Sequence, residues 1–189
     1  MLESKLIEEL EEVQVFSKRH VVLRSGLHSD MFVDIEKLFQ NNVPLVNSLC
    51  CMMAEDVNKK SIPVDMVMGP AEGGKLVAKR VAIDLSTYRN EAVRFSWEEK
   101  TEEKSYTLRE TDKNTLNFIN VLLVDDVMTS GSSILTLTKL IADVGGFVTG
   151  VSVICNRFLI AHELELPYFY SAFDYPSNLW RKSECPICK

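Results

Sequence analysis

The chain has 189 residues, 46% apolar and 25% charged, a composition that fits one soluble globular domain large enough to bury a core. Its formal net charge of −6 argues against nucleic-acid or anionic-membrane binding, yet leaves room for an anionic small molecule held by local charge. No apolar run approaches the ~20 residues of a spanning helix, and the opening MLESKLIEELEE is too acidic for a secretory leader. Five cysteines, an odd number in no obvious framework, point to a reducing cytoplasm.

In chain order, Leu6, Leu10 and Val13, with Ile7 beside them, predict a short amphipathic helix with an acidic outer face. VVLRSGLHSDMFVDIEKLF follows, apolar and β-prone around a Ser-Gly turn. NNVPLVNSLCCMMAEDV reads as a helix that Asn42 can cap and whose first turn suits Pro44. VDMVMG is a buried strand ending at Gly-Pro, and GGKLVAKRVAIDL carries Val77, Val81 and Leu85 at helical spacing. EAVRFSW is a further strand. Residues 98–117 are polar, charged and glycine-free, and read as a long mobile loop or hairpin. INVLLVDD is the strongest strand signal. SSILTLTKLIADVGG is a helix with Ile134, Leu137, Ile141 and Val144 inward and glycines to end it, and FVTGVSVIC is the next strand.

Alternation at these lengths predicts an α/β fold of right-handed βαβ units, with a mostly parallel sheet covered on both faces. Ligands of such sheets bind beyond the carboxyl ends of the strands. The turns after VDMVMG and VLLVDD therefore share one rim.

The chemistry concentrates in VLLVDDVMTSGSS, Val121 to Ser133. Two adjacent carboxylates at a strand end repel each other, so their presence needs a function. Asp125 and Asp126 can accept charge-assisted hydrogen bonds from a vicinal diol. The turn from Thr129 to Ser133 enters a helix, and its amides, hydroxyls and helix N-terminus suit a phosphate dianion. A bare acidic pair or a bare Thr-Ser-Gly turn would be only a βα loop and a helix cap. The order of strand, acidic pair, turn and helix is what a phosphoribosyl site requires.

This run resembles the phosphoribosyl-pyrophosphate (PRPP) motif of type I phosphoribosyltransferases. The likeness implies that Asp125 and Asp126 hold the ribose hydroxyls while Thr129, Ser130, Gly131, Ser132 and Ser133 wrap the 5-phosphate. SGLHSDMFVD, preceded by Arg24, resembles the base-binding segment of the orotate branch, which implies base contacts from Arg24, Ser25, Gly26, His28 and Phe32. GPAEGG resembles the pyrophosphate loop, placing Ala71, Glu72, Gly73 and Gly74 at the leaving group. RFSWEEK and TLRE resemble the strand and loop that bring basic residues, here Lys100, Lys104 and Arg109, to the pyrophosphate; Glu98, Glu99, Glu102 and Glu103 surround the two lysines. Arg157, after VSVICN, stands where the family carries an arginine that meets the orotate carboxylate, as a planar guanidinium pairs bidentately with a carboxylate. The matches run in family order from about residue 10 to residue 158.

The resemblance implies transfer of ribose 5-phosphate from PRPP to orotate in de novo pyrimidine synthesis, with Mg²⁺ carried by PRPP rather than bound by protein ligands, in a cytoplasmic homodimer. Lys100, Lys104, Asp125 and Asp126 would be the catalytic groups. One domain is expected, with a hood from about residues 1–40, a PRPP-binding core at about 41–160 and a tail at about 161–189 that could join the hood. A PRPP- or nucleotide-binding regulator on the same fold and a transferase for another base are the alternatives.

ECPICK resembles the CPxC tail of one branch of the orotate enzymes. In zinc terms Cys185 and Cys188 are half a site, which a dimer could complete by bringing two pairs together; a reduced or redox-labile tail is the other reading. Cys50, Cys51 and Cys155 lie in apolar patterns and read as core. His20 and His162 read as structural or surface residues.

Overall fold

The computed structural model describes residues 2–23, 25–70, 73–100, 106–157 and 166–189. Helix α1 (Leu2–Glu12) leads into a hairpin of β1 (Phe16–Val22) and β2 (His28–Val33). Gly26, at φ +81°, supplies the left-handed residue of the connecting turn. Then come α2 (Glu36–Asn41), α3 (Val43–Lys59), β3 (Met66–Gly69), α4 (Gly73–Arg89) and β4 (Arg94–Trp97). The segment after β4 holds β5 (Glu99–Lys100), β6 (Tyr106–Thr107) and α5 (Glu110–Lys113). The chain ends with β7 (Asn120–Met128), α6 (Ser132–Asp143), β8 (Phe147–Asn156), β9 (Phe169–Asp174) and β10 (Leu179–Trp180).

The central sheet has the order β4-β3-β7-β8-β9 and every pairing in it is parallel. Alternate residues of its strands feed two cores. Val67, Leu122 and Val124 pack with α3 and α4, whereas Met66, Met68, Val121 and Leu123 pack with Ile134, Leu137 and Ile141 of α6. Both faces are therefore apolar, which is why the strands read as continuous hydrophobic runs. β1, β2 and β10 form a separate antiparallel sheet, the hood. Phe16 joins the two parts, stacking on Tyr175 at 3.9 Å between centroids and meeting Phe173 edge-on.

The α3 start follows the sequence reading: the Asn42 side chain accepts the Leu45 N–H at 3.2 Å, with proline in the first turn. Three features differ or add detail. The β-prone reading over DIEKLF gives way to α2, because Ile35 and Leu38, both buried, sit at helical spacing and Ile35 already has helical dihedrals. Val144 caps α6 instead of lying within it. The segment at 98–117 is in part a hairpin, β5 against β6, and buried Leu108 and Leu116 tie its far side to the core. β9 and β10 carry too little periodicity to be read in the sequence, yet one extends the central sheet and the other joins the hood.

Removing the α3 cap should cost about 1 kcal/mol, the usual value for an N-cap side chain. Asn42→Ala should lower the midpoint of thermal unfolding, and Asn42→Asp should recover most of it, as read by differential scanning calorimetry.

Candidate active site

A cavity of about 570 Å³ opens between the hood and the carboxyl ends of the central strands. Its walls come from the hood (Val22, Leu23, Ser25, Phe32, Val33), from α2 and the turn before it (Asp34, Ile35, Glu36, Phe39), and from the strand ends. β3 contributes through Pro70 and Gly73, β7 through Asp125, Asp126, Thr129, Ser130, Ser132 and Ser133, and β8 through Arg157. The predicted rim is thus the floor of one pocket.

The acidic pair sits near the end of β7. The Asp126 amide donates to Asp125 Oδ1 at 2.9 Å, and the Val127 amide donates to Asp126 Oδ1 at 2.8 Å. Asp125 is 8% exposed, and burial, then the neighbouring Asp126 carboxylate, raise its pKa well above the usual carboxylate range. Glu98, fully buried, adds a third carboxylate to the lining and to the same repulsion. Gly73 lies so close to the Asp126 carboxylate that a Cβ there would overlap it, so glycine is what lets the start of α4 approach the acidic pair. Gly74 likewise packs against Pro70 and the backbone of Gly69.

The next turn gives α6 an open N-terminus. Gly131 occupies the cap position at φ 70°, and its carbonyl accepts the Leu135 N–H at 2.9 Å. The Ser130 and Ser132 hydroxyls lie 3.1 Å apart on the turn. Hydroxyls and first-turn amides together make a concave donor set for an anion.

Arg157 is 2% exposed and ties the central sheet to the hood. Its Nη2 donates to Ser29 Oγ at 2.9 Å, the Met31 carbonyl at 2.8 Å and Ser177 Oγ at 2.7 Å; Nε donates to Ser177 Oγ at 3.0 Å. Burial pulls its pKa below the ordinary arginine value, and Cys155 and Asp30 oppose that shift. An arginine still carries its proton under such a shift. The cavity wall therefore presents a fixed cation.

Of the other predicted base contacts, Ser25 and Phe32 line the cavity, and the Arg19 guanidinium lies 4.9 Å from the centroid of the Phe32 ring. Gly26 shapes the turn beside them. His28 is elsewhere: it is 5% exposed, is absent from the cavity lining, and its ring faces His20 and Cys188, because it begins β2 four residues before the lining Phe32, roughly 13 Å away along the strand. Arg109 lies at the wall's outer side, 4.3 Å over the ring of Trp97, the residue before Glu98. Lys75 Nζ sits 3.9 Å from the same ring. Lys75 escaped the sequence reading although it directly follows the pyrophosphate-loop glycines, which was the available signal. Ser29 and Ser177 escaped it too; Ser29 lies within SGLHSDMFVD, which was its signal, and nothing local marks Ser177. Lys100 ends β5, and Arg24, Ala71, Glu72 and Lys104 lie outside the described residues.

Residues 42–168 match the family model of the phosphoribosyl transferase domain, more than half of the chain. The chain belongs to the phosphoribosyltransferase family. Its full-length relatives include orotate phosphoribosyltransferases: the one from Caldanaerobacter subterraneus is 33% identical over 193 residues, covering 100% of this chain and 93% of the relative. The one from Thermoanaerobacter sp. is 30% identical over 189 residues, covering 100% and 93%. Among solved structures, orotate phosphoribosyltransferase from Aeropyrum pernix superposes with a TM-score of 0.67 at 21% identity, over 89% of this chain and 93% of that one. Adenine phosphoribosyltransferase from Trypanosoma brucei gives 0.64 at 16% identity, over 92% and 81%. The fold is therefore shared across enzymes named for different bases and does not itself select one.

Asp125 offers a test of the electrostatics. Its folded-state pKa is raised above the unfolded value, so stability is lost as the pH rises through the folded value and the buried carboxyl must ionise. Asp125→Asn should melt higher than the parent at about pH 8, and the gap should close towards about pH 4, where both side chains are neutral. Thermal melts across that range check it; a constant gap would mean that Asp125 ionises freely in the folded protein.

Proposed function

We propose that the protein transfers the 5-phosphoribosyl group of PRPP to orotate, giving orotidine 5′-phosphate and pyrophosphate. The observation that carries this reading is the single cavity that joins the acidic pair, the Ser-Gly turn at the α6 N-terminus and the buried Arg157 beneath one hood. The relatives that span the whole chain carry the orotate name, which supports the choice of base.

In this reading the turn from Thr129 to Ser133 takes the 5-phosphate, and Asp125 and Asp126 accept hydrogen bonds from the ribose diol. Positive charge develops on the ribose ring as the bond to pyrophosphate breaks. Carboxylates already placed beside the ring stabilise that charge without reorganising. The same charge favours ionised Asp125, offsetting the burial that opposes it in the free protein. In the same reading the start of α4 at Gly73 and the cations Lys75 and Arg109, both stacked on Trp97, serve the departing pyrophosphate, together with Lys100 and Lys104. Arg157, Ser25 and Phe32 form the base end, and a guanidinium there favours a carboxylated base over a neutral purine.

Mg²⁺ would arrive on the phosphate and hydroxyl oxygens of PRPP, not on protein ligands, and the nearby carboxylates Asp125 and Asp126 would complement its charge at longer range. When bound, that ion neutralises charge on the phosphate oxygens. A homodimer in the cytoplasm, with each loop reaching the neighbour's site, completes the proposal. Among the described residues no helix is long and apolar enough to cross a membrane.

The test is the loss of orotate absorbance with pyrophosphate release followed in parallel. Turnover should require protein, PRPP and Mg²⁺ together. PRPP binding in a calorimeter without turnover on any nucleobase would favour a regulator on the same fold; turnover on a purine alone would overturn orotate. Arg157→Lys keeps the charge but loses the planar fork, and should lower kcat/KM for orotate roughly 10- to 100-fold while PRPP affinity holds. An unchanged orotate response in steady-state kinetics would remove Arg157 from the base site.

A further inference from the structure

The tail thiols do not need a second chain to complete their ligand set. The ligating atoms of His20, His28, Cys185 and Cys188 all lie within 4.8 Å of one another, outside the cavity. His20 Nε2 is 3.0 Å from His28 Nδ1, and 3.5 Å from both Cys185 Sγ and Cys188 Sγ; Cys188 Sγ is 3.2 Å from His28 Nδ1. A tetrahedral zinc with ordinary Zn–N and Zn–S bonds spaces its ligands by about 3.3–3.8 Å, so these four separations fit within a few tenths of an ångström, and no pair in the set is more than 4.8 Å apart.

Hydrogen bonding alone does not account for the arrangement. His20 Nε2 has three of these partners within contact, yet an imidazole nitrogen either donates one proton or offers one lone pair. A cation at the centre engages all four lone pairs at once. The donors are two thiolates and two imidazoles, with no carboxylate among them, which selects zinc over a hard cation. Burial is graded as in a closed structural site: Cys185 is 0% exposed and His28 5%, while His20 and Cys188 face outward.

The local backbone presents the ligands from β1, β2 and the turn that follows β10. His28 begins the central strand β2, paired with Val22 on one side and Trp180 on the other. In β1 a bulge sets Arg19 and His20 opposite the single residue Asp30, re-aiming His20 towards the same corner. β10 is two residues long and leads through a 3-10 turn to Cys185, and the Cys188 N–H closes on the Cys185 carbonyl at 3.3 Å. So short a strand holds poorly on its own ladder bonds.

We propose that His20, His28, Cys185 and Cys188 bind one structural zinc ion within a single chain, clipping the C-terminal tail to the hood hairpin. Because the same hairpin carries Ser25 and Phe32, and the tail carries Ser177 to Arg157, the clip holds the base end of the cavity in shape.

The test is metal content, which is independent of any activity. The full chain, made without a metal-affinity tag, would be reconstituted with zinc in the presence of a phosphine reductant, desalted, and measured by elemental analysis and native mass spectrometry. We expect about one zinc per chain, falling at least tenfold in Cys188→Ser and in His20→Ala. Both positions are exposed, so neither variant should fail to fold. Cys51→Ser, which removes a thiol paired with the Tyr88 hydroxyl at 2.9 Å, should keep its zinc. Cobalt(II) in place of zinc should give the strong visible absorption of tetrahedral thiolate coordination. Hydrogen exchange in residues 179–188 should rise when a chelator removes the metal. Less than a tenth of a zinc per chain in the parent, or undiminished zinc in Cys188→Ser, overturns the site; so does a two-to-one ratio of chain to metal that appears only in dimers.

Discussion

The structure depends on one buried guanidinium. Arg157 leaves the end of β8, donates to Ser29, Met31 and Ser177, and so fastens the hood and the tail to the central sheet. A charge so buried is tolerated only because its donors are met on several sides. Those bonds fix where the hood stands, and the hood's position defines the cavity. The cation that organises the fold also faces the space in which an anionic base would lie.

The floor of that space is electrostatically uphill in the free protein. Asp125 is buried beside the half-buried Asp126, with the buried Glu98 adding to the same repulsion. Such clustering makes sense where positive charge must appear during a reaction, and it costs stability until it does. Gly73 belongs to the same arrangement. A Cβ there would overlap the Asp126 carboxylate, so either that side chain or the start of α4 would have to move. The missing Cβ lets the two βα turns meet on one cavity wall.

The hood faces a different physical problem. A three-stranded sheet with a two-residue edge strand is joined to the core on one side, through buried Met31 and Val33 of β2, Phe16 on Tyr175 and Phe173, and the Arg157 bonds. A metal clip of the kind proposed would add cohesion at the far corner, where the two-residue strand meets the tail. It would also separate stability from catalysis, since its four ligands lie outside the cavity lining.

Much of this was legible in the sequence because the informative features are local. VLLVDDVMTSGSS is contiguous, so strand, acidic pair, turn and helix are fixed by neighbouring residues, and the parallel sheet follows from the alternation of apolar strands with amphipathic helices. The capped start of α3 is local in the same way. Tertiary structure alone decided what depends on residues far apart. Ser29 and Arg157 are 128 positions apart, and His20 meets Cys185 across 165. β9 and β10 have weak patterns of their own and become strands because edges of two sheets stand ready to pair with them. His28 shows the difference most plainly. Sequence placed it in one segment with the cavity-lining Ser25 and Phe32, but it stands at the start of β2, where β1 and the tail bring it a second imidazole and two thiols instead of the cavity.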